Sequence, residues 1–147
     1  AKGGEFGTVT GRPRRCGWFD AVQMRHAVRV NGFDALAVTK LDVLDGFERV
    51  PVCVGYRLDG EAVSAFPADL GRLRRCTPVL ESCPGWNRPT SGVQRYDDLP
   101  ANAQAYLQRL EDLAGVPVVF ASTGAAREDI VVKNAPLAAA WFGSELA

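Results

Sequence analysis

The sequence has one histidine, His26, and one methionine among its 147 residues, no CxxC pair, and no excess of either charge. A single histidine disfavours a histidine-rich metal site or a self-contained Ser-His-Asp machine. The four cysteines, Cys16, Cys53, Cys76 and Cys83, are scattered and suit neither a zinc knuckle nor a dense disulfide scaffold. They read as reduced, mostly buried thiols of a cytosolic protein. Seventeen Lys and Arg balance seventeen Asp and Glu, so no global field favours nucleic acid or an anionic membrane as a partner. There is no uninterrupted apolar run of membrane-spanning length and no charged-then-apolar leader. A GxxxxGK[ST] loop is missing too, so nothing obvious cradles β- and γ-phosphates or holds magnesium. What is present suffices for a core. Apolar residues make up 47% and charged ones 23%, which fits one domain or a piece of a larger one. The first residue is Ala1, as either Met removal or origin in a longer polypeptide would leave it.

Hydrophobic periodicity predicts a helix over 18–31, with Trp18, Ala21, Met24 and Val28 on one side and Asn31-Gly32 as its stop. Residues 34–39 read as a short buried strand ending in Lys40-Leu41-Asp42, and 49–57 as a second β-type run. Asp59-Gly60 is the strongest hairpin signal in the chain. Residues 67–89, rich in Pro, Gly and Arg, read as irregular with one short strand at 77–80. The clearest helix covers 99–115, where Ala103, Tyr106, Leu107, Leu110 and Leu113 repeat at three and four. Asp98 is its expected cap, with Pro100 in the first turn and Gly115 and Pro117 closing it. A buried strand at 116–121, a further strand at 130–133 and a short helix at 137–142 complete an α/β pattern. Trp86 and the stripe on the long helix read as core. His26, between Arg25 and Arg29, reads as a packing or surface residue.

Three segments carry possible chemistry, each with a plainer alternative. In the first, Thr8 and Thr10 offer donors, Gly11 permits a tight turn, and Arg12, Arg14 and Arg15 bring guanidinium forks close together. Such forks pair two anionic oxygens at once, as carboxylates and phosphates need. The alternative is a solvated basic loop. The second is Thr39-Lys40-Leu41-Asp42 after an apolar strand. A carboxylate there can accept from the N1–H and 2-amino group of guanine, which adenine cannot supply, while the Lys40 stem covers the purine face. The alternative is an Asp-stabilised turn. In the third, Ser122-Thr123-Gly124 sits at another strand end, where small residues and backbone N–H groups can hold guanine O6 or simply make a turn. Short strands ending in polar residues are how α/β sheets present ligands.

The stretch Gly4-Glu5-Phe6-Gly7-Thr8-Val9-Thr10-Gly11-Arg12-Pro13-Arg14-Arg15-Cys16-Gly17-Trp18-Phe19-Asp20 resembles the aspartate- and IMP-binding loop of adenylosuccinate synthetases. The resemblance extends, in the family's order, to Thr39-Lys40-Leu41-Asp42-Val43-Leu44-Asp45-Gly46, Val52-Cys53-Val54-Gly55-Tyr56, Pro84-Gly85-Trp86 and Ser122-Thr123-Gly124. It covers essentially the whole chain but only about the last third of those enzymes. They join IMP and L-aspartate with GTP as co-substrate, through 6-phosphoryl-IMP, with Mg²⁺ assisting. The resemblance implies the C-terminal part of a P-loop-NTPase-like, mostly parallel sheet flanked by helices, with a β-hairpin. It assigns Thr8, Val9, Thr10, Gly11, Arg12, Pro13 and Arg14 to aspartate and IMP. Arg14, Lys40, Leu41, Asp42, Ser122, Thr123 and Gly124 fall to GTP.

The family's general-base Asp, general-acid His and phosphate loop belong to its N-terminal part, and His26 does not occupy the place of that histidine. No catalytic residue and no metal ligand is therefore expected in this chain, Mg²⁺ being ligated outside it. A cytoplasmic, full-length homodimer containing the N-terminal part of the same enzyme is the implied context. The family usually has Pro after the Ser-Thr-Gly turn. Ala125 here implies a less rigid turn, although Arg127 keeps the downstream basic residue. A non-catalytic guanine-nucleotide-binding module and a purely structural fragment remain as alternatives.

Overall fold

Asp20 decides where the first helix begins. Its carboxylate accepts the N–H groups of Val22 and Gln23, both at 3.0 Å, so the helix starts at Ala21 rather than at Trp18. The computed structural model describes residues 3–63 and 65–143. In it Phe19–Asp20 is a short strand, β1, followed by α1 (Ala21–Asn31). Trp18, expected on the helix, is partly exposed ahead of it and meets Phe47 edge-on at 5.7 Å.

The remaining elements are β2 (Leu36–Val38), β3 (Arg49–Leu58), β4 (Glu61–Val63), α2 (Leu70–Arg75), β5 (Cys76–Pro84), α3 (Ala101–Ala114), β6 (Val118–Ser122), β7 (Ile130–Val132) and α4 (Ala135–Phe142). They form two sheets. In one, β3 pairs with β1 in parallel and with β4 and β5 antiparallel. In the other, β6 lies between parallel β2 and antiparallel β7. Among the described residues, then, two strand pairings are parallel and three antiparallel. The α/β class stands, but the sheets are mixed rather than mostly parallel. The expected hairpin is present, with Asp59 and Gly60 at φ 53° and 92° between β3 and β4.

The largest departure lies in 67–89. Instead of one short strand, a six-residue helix capped by Asp69 leads into β5, which pairs along nearly the whole of β3. Most of β5 is exposed and it carries Pro78 and Pro84. Its existence rests on pairing with β3, and proline is tolerated because the strand lies at an edge.

The long helix is shorter than expected at its start. Leu99, preceding Pro100, is held extended at ψ 146°, because a proline ring disfavours helical geometry in the residue before it. Asp98 consequently sits in a separate 3₁₀ turn and does not cap α3, whose start has no side-chain cap.

The α3 stripe joins the two sheets. Ala103, Tyr106, Leu107 and Leu110 share one core with Val50 and Val52 of β3, Cys83 of β5, Val118 and Ala121 of β6, Val131 of β7, and Leu41 and Trp86. Leu107 and Leu110 are essentially fully buried, and each contributes about 1.5–3 kcal/mol by leaving water. Glu81 of β5 and Arg109 of α3 form a two-pronged ion pair, at 2.7 and 2.6 Å, outside that core.

A smaller cluster of Val22, Cys53 and Tyr56 lies under α1, where Tyr56 donates its hydroxyl to Asp20. His26 is half-buried and stacks on Phe66 at 5.0 Å, a packing role. Of the free cysteines only Cys53 and Cys83 are buried, and Cys16 is exposed. "Mostly buried" therefore holds for two of the four. No helix among the described residues is long and apolar enough to cross a membrane.

Candidate functional site

Strands β2 and β6 run in parallel and end side by side, so the turns that leave them meet at one edge of the sheet. After β2 the chain turns sharply. Lys40 takes a left-handed conformation (φ 61°) and its N–H donates to Ser122 Oγ, at the end of β6, at 2.8 Å. A 3₁₀ turn, Leu41–Leu44, comes at once. Leu41 drops its side chain into the core, 1% exposed, while Asp42 stays at the half-buried rim. Lys40, Asp42, Val43, Gly124, Ala125 and Gly3 line one cavity of about 130 Å³. The second and third segments singled out in the sequence are thus one place. A whole small-molecule pocket measures roughly 300–1,000 Å³, so this cavity by itself is smaller than such a pocket.

The turn after β6 is held by Asp129. Its main-chain oxygen accepts Thr123 N–H at 2.9 Å, and its carboxylate accepts Ala126 N–H at 3.0 Å. Gly124 passes so close that an added Cβ would lie 2.2 Å from Asp129 Oδ2, so no larger residue fits without moving that carboxylate. With Ala125 where the family usually has Pro, these bonds, which do not involve residue 125, keep the turn closed. Thr123 is fully buried and donates its hydroxyl to Val93 O at 3.0 Å. Thr123 and Leu41 therefore shape the site from behind, and neither side chain reaches its surface.

The basic segment forms a projecting loop. Gly7 N–H donates to Arg12 O and Arg14 N–H to Glu5 O, both at 2.8 Å, and Phe6 bridges to Pro13. Thr8, Val9, Thr10 and Gly11 form the exposed tip, with the Val9 side chain 97% accessible. Arg12 and Arg15 are exposed and have no ion-pair partner among the described residues. Arg14 differs. Its Nη1 meets Glu5 Oε2 at 3.3 Å, while Glu5 Oε1 accepts from Lys40 Nζ, which also donates to Gly3 O at 2.8 Å. Lys40 above all holds the Glu5 carboxyl below its usual range against the opposing effect of burial, and Arg14 adds to it. Glu5 lies in the loop motif, and the sequence alone assigns it no role. The signal is tertiary, since its partner Lys40 lies 35 residues away.

Asp45, in the same motif as Asp42, has a different function. Its carboxylate accepts Trp86 Nε1 at 2.7 Å, Thr90 N–H at 2.9 Å and Thr90 Oγ1 at 2.8 Å. Gly85, beside Trp86, runs so close to Phe47 O that a Cβ would overlap it at 1.7 Å. The Pro-Gly-Trp segment is thus read as packing, and Asp45 as the anchor of the turn that carries Asp42. Among the described residues no three His, Cys, Asp or Glu side chains come together as a possible metal site.

Adjacent strand ends, a carboxylate beside a small-residue turn and an arginine loop are thus gathered on one α/β segment. The family profile of adenylosuccinate synthetase matches residues 1–131, and the chain belongs to that family. The adenylosuccinate synthetase of Halorhodospira halophila is 53% identical over 135 residues, covering 92% of this chain and 31% of the relative. Adenylosuccinate synthetase 1, chloroplastic, of Ricinus communis is 53% identical over 138 residues, covering 94% and 31%. The structure of fully ligated adenylosuccinate synthetase from Plasmodium falciparum superposes with a TM-score of 0.86 at 35% identity, over 90% of this chain and 32% of that one. The chain spans about a third of the length of these relatives.

Proposed function

We propose that residues 1–147 act as the C-terminal portion of a GTP-dependent ligase that joins IMP and L-aspartate to adenylosuccinate. This portion supplies guanine recognition and the grip on aspartate. The observation that carries the reading is the bond from Lys40 N–H to Ser122 Oγ, which sets the Asp42 turn and the Gly124 turn around one cavity.

In that cavity the Asp42 carboxylate accepts from guanine N1–H and the 2-amino group. The stem of Lys40 lies along the ring, and backbone of the 122–124 turn faces O6. Adenine leaves the carboxylate without those donors, and the lost pairing of a charged group is the source of selectivity. A larger cavity of about 540 Å³ lies over Ala37, Phe120, Ile130 and Val132. Ser122, Thr39, Arg127 and Glu128 stand at its border, but we do not assign the purine to it, because most of its wall is apolar and neither Asp42 nor Gly124 lines it.

The loop 8–14 takes the carboxylates of aspartate, Arg12 also reaches IMP, and Arg14 reaches the GTP phosphates. Forked guanidiniums on an exposed loop suit all three anions. On the resemblance to the family, the Mg²⁺ ion, the acid–base residues and the phosphate cradle are assigned to the N-terminal part of the same enzyme. That part would also complete a larger P-loop-like sheet. The context is a cytoplasmic homodimer, without nucleic acid or membrane as partner.

Calorimetry with GDP and ADP tests the guanine site. GDP is expected to bind and ADP not, with Asp42→Asn costing about 2–3 kcal/mol, roughly 30- to 150-fold in affinity, for GDP alone. Equal affinities for the two nucleotides, or an Asp42→Asn variant that still prefers GDP, would end this reading.

A further inference from the structure

The guanine turn and the arginine loop are joined by one side chain. Glu5 stands between them, with Oε1 on Lys40 Nζ and Oε2 on Arg14 Nη1. We propose that Glu5 is a positioning residue that couples nucleotide recognition to the grip on aspartate, by holding Lys40 and Arg14 in one arrangement. The proposal rests on the function proposed above.

The geometry suits coupling rather than competition. Lysine carries three donors, and here Nζ is held by Glu5 and by Gly3 O while Lys40 lines the cavity, which ties the ammonium and leaves the aliphatic stem for the purine face. Arginine carries five donors, and Arg14 gives Nη1 to Glu5 while Nε and Nη2 point to no acceptor among the described residues. Those two remain for an incoming anion. One carboxylate between two cations also reduces the repulsion that would otherwise drive Lys40 from the arginine loop.

The three side chains stay partly in water, with 30% of Glu5, 49% of Lys40 and 58% of Arg14 exposed. Such pairs add little to folding. Their value is geometric: an anion that draws Arg14 moves Glu5, and Glu5 moves Lys40. Two sites biased by one shared element are coupled, and coupling is reciprocal. A ligand that orders one side lowers the cost of ordering the other.

Steady-state kinetics on the intact polypeptide that carries these residues decides the matter, with wild type, Glu5→Gln and Glu5→Asp compared. Glu5→Gln keeps the shape and removes the charge that both cations share. The KM values for GTP and for aspartate are expected to rise together, about five- to twentyfold, in the usual range of such couplings, while kcat stays within about threefold. Glu5→Asp keeps the charge on a shorter arm and is expected to fall between the two. A purely structural role would instead lower kcat through lost active enzyme and leave both KM values unchanged. Unchanged KM values, or a rise in one alone, overturn the proposal. If Glu5→Gln does not fold, the same rule applied to Glu5→Asp decides, with a paired rise of at least about twofold as support. Preference of the wild type for GDP over ADP is measured in parallel. Its absence sinks the underlying reading and this proposal with it, whereas unchanged KM values in a guanine-selective enzyme sink Glu5 alone.

Discussion

Asp45 shows how one residue can matter to a site without touching a ligand. Its carboxylate collects the indole N–H of Trp86, which is 2% exposed, and both donors of the fully buried Thr90. Removing the acceptor strands these donors where water reaches them poorly, and each stranded donor costs about 1–3 kcal/mol. Asp45→Ala is therefore expected to lower stability by about 2–4 kcal/mol, since part of the loss is recovered by relaxation. Urea unfolding should show the midpoint falling with an unchanged slope. A loss below about 1 kcal/mol would mean that these bonds do not hold the turn. The two carboxylates of Thr39-Lys40-Leu41-Asp42-Val43-Leu44-Asp45-Gly46 are alike in sequence. They part in space, Asp45 holding Trp86 and Thr90 while Asp42 lines the cavity.

Among elements, α3 and β6 depend on each other through Glu111. This residue of α3 accepts Val118 N–H of β6 at 2.8 Å and Lys133 Nζ at 2.7 Å, so it fixes the helix against the strand that ends at Ser122. Burial raises the tendency of its carboxyl to hold a proton. Lys133 and the Val118 N–H outweigh that effect, and the net result is a pKa below the ordinary value. A carboxyl with a depressed native pKa stabilises the fold fully above the pKa of the unfolded chain, and loses that contribution as pH falls through the native value. Glu111→Gln is expected to cost about 1–2 kcal/mol at pH 7. The gap from wild type should close on acidification below about pH 4, where an unfolded glutamate is protonated. Thermal unfolding of both chains across pH 3–8 checks this, and a gap independent of pH would count against it. Glu81 and Arg109 have similar geometry but are each 38% exposed, so their pair fixes the position of β5 more than it stabilises the chain.

At the scale of the whole molecule, one sheet is covered unevenly. The α3 stripe buries one face of β2, β6 and β7. The other presents Phe120 with Ile130, 44% exposed, and Phe142, 55% exposed, around the larger cavity. Trp141 adds 46% exposure beside Phe142. Grouped apolar surface of this kind promotes association. The 147-residue chain by itself is expected to sediment above its monomer mass at tens of micromolar, and Ile130→Lys with Phe142→Ser to shift it toward monomer. A monomeric wild type would show that the face is tolerated in water. The same chain, incubated with IMP, aspartate, GTP and Mg²⁺, is expected to give no adenylosuccinate, because the acid–base residues are assigned above to the N-terminal part. Turnover would overturn the division of labour proposed above.

Local pattern was enough for much of this protein. The three-and-four spacing of Ala103, Tyr106, Leu107 and Leu110, the turn at Asp59-Gly60 and the buried runs of β3 and β6 are periodic or local signals, and periodicity survives in one dimension. Order and chemistry of the motifs already named the family. Other features arose only when distant segments met. β5 buries only Cys83 and leaves most of its residues exposed, too little to make a readable alternation, and it exists because β3 offers an edge to pair with. The meeting of Lys40 with Ser122, 82 residues apart, comes from the parallel register of β2 and β6. Thr123 and Leu41 look like ligand-facing groups in the sequence and turn inward in space. Glu5 becomes a bridge because the loop that bears it folds back over the end of β2. Which side of a residue faces the ligand is settled by packing, and packing is a property of contacts between segments that no single stretch contains.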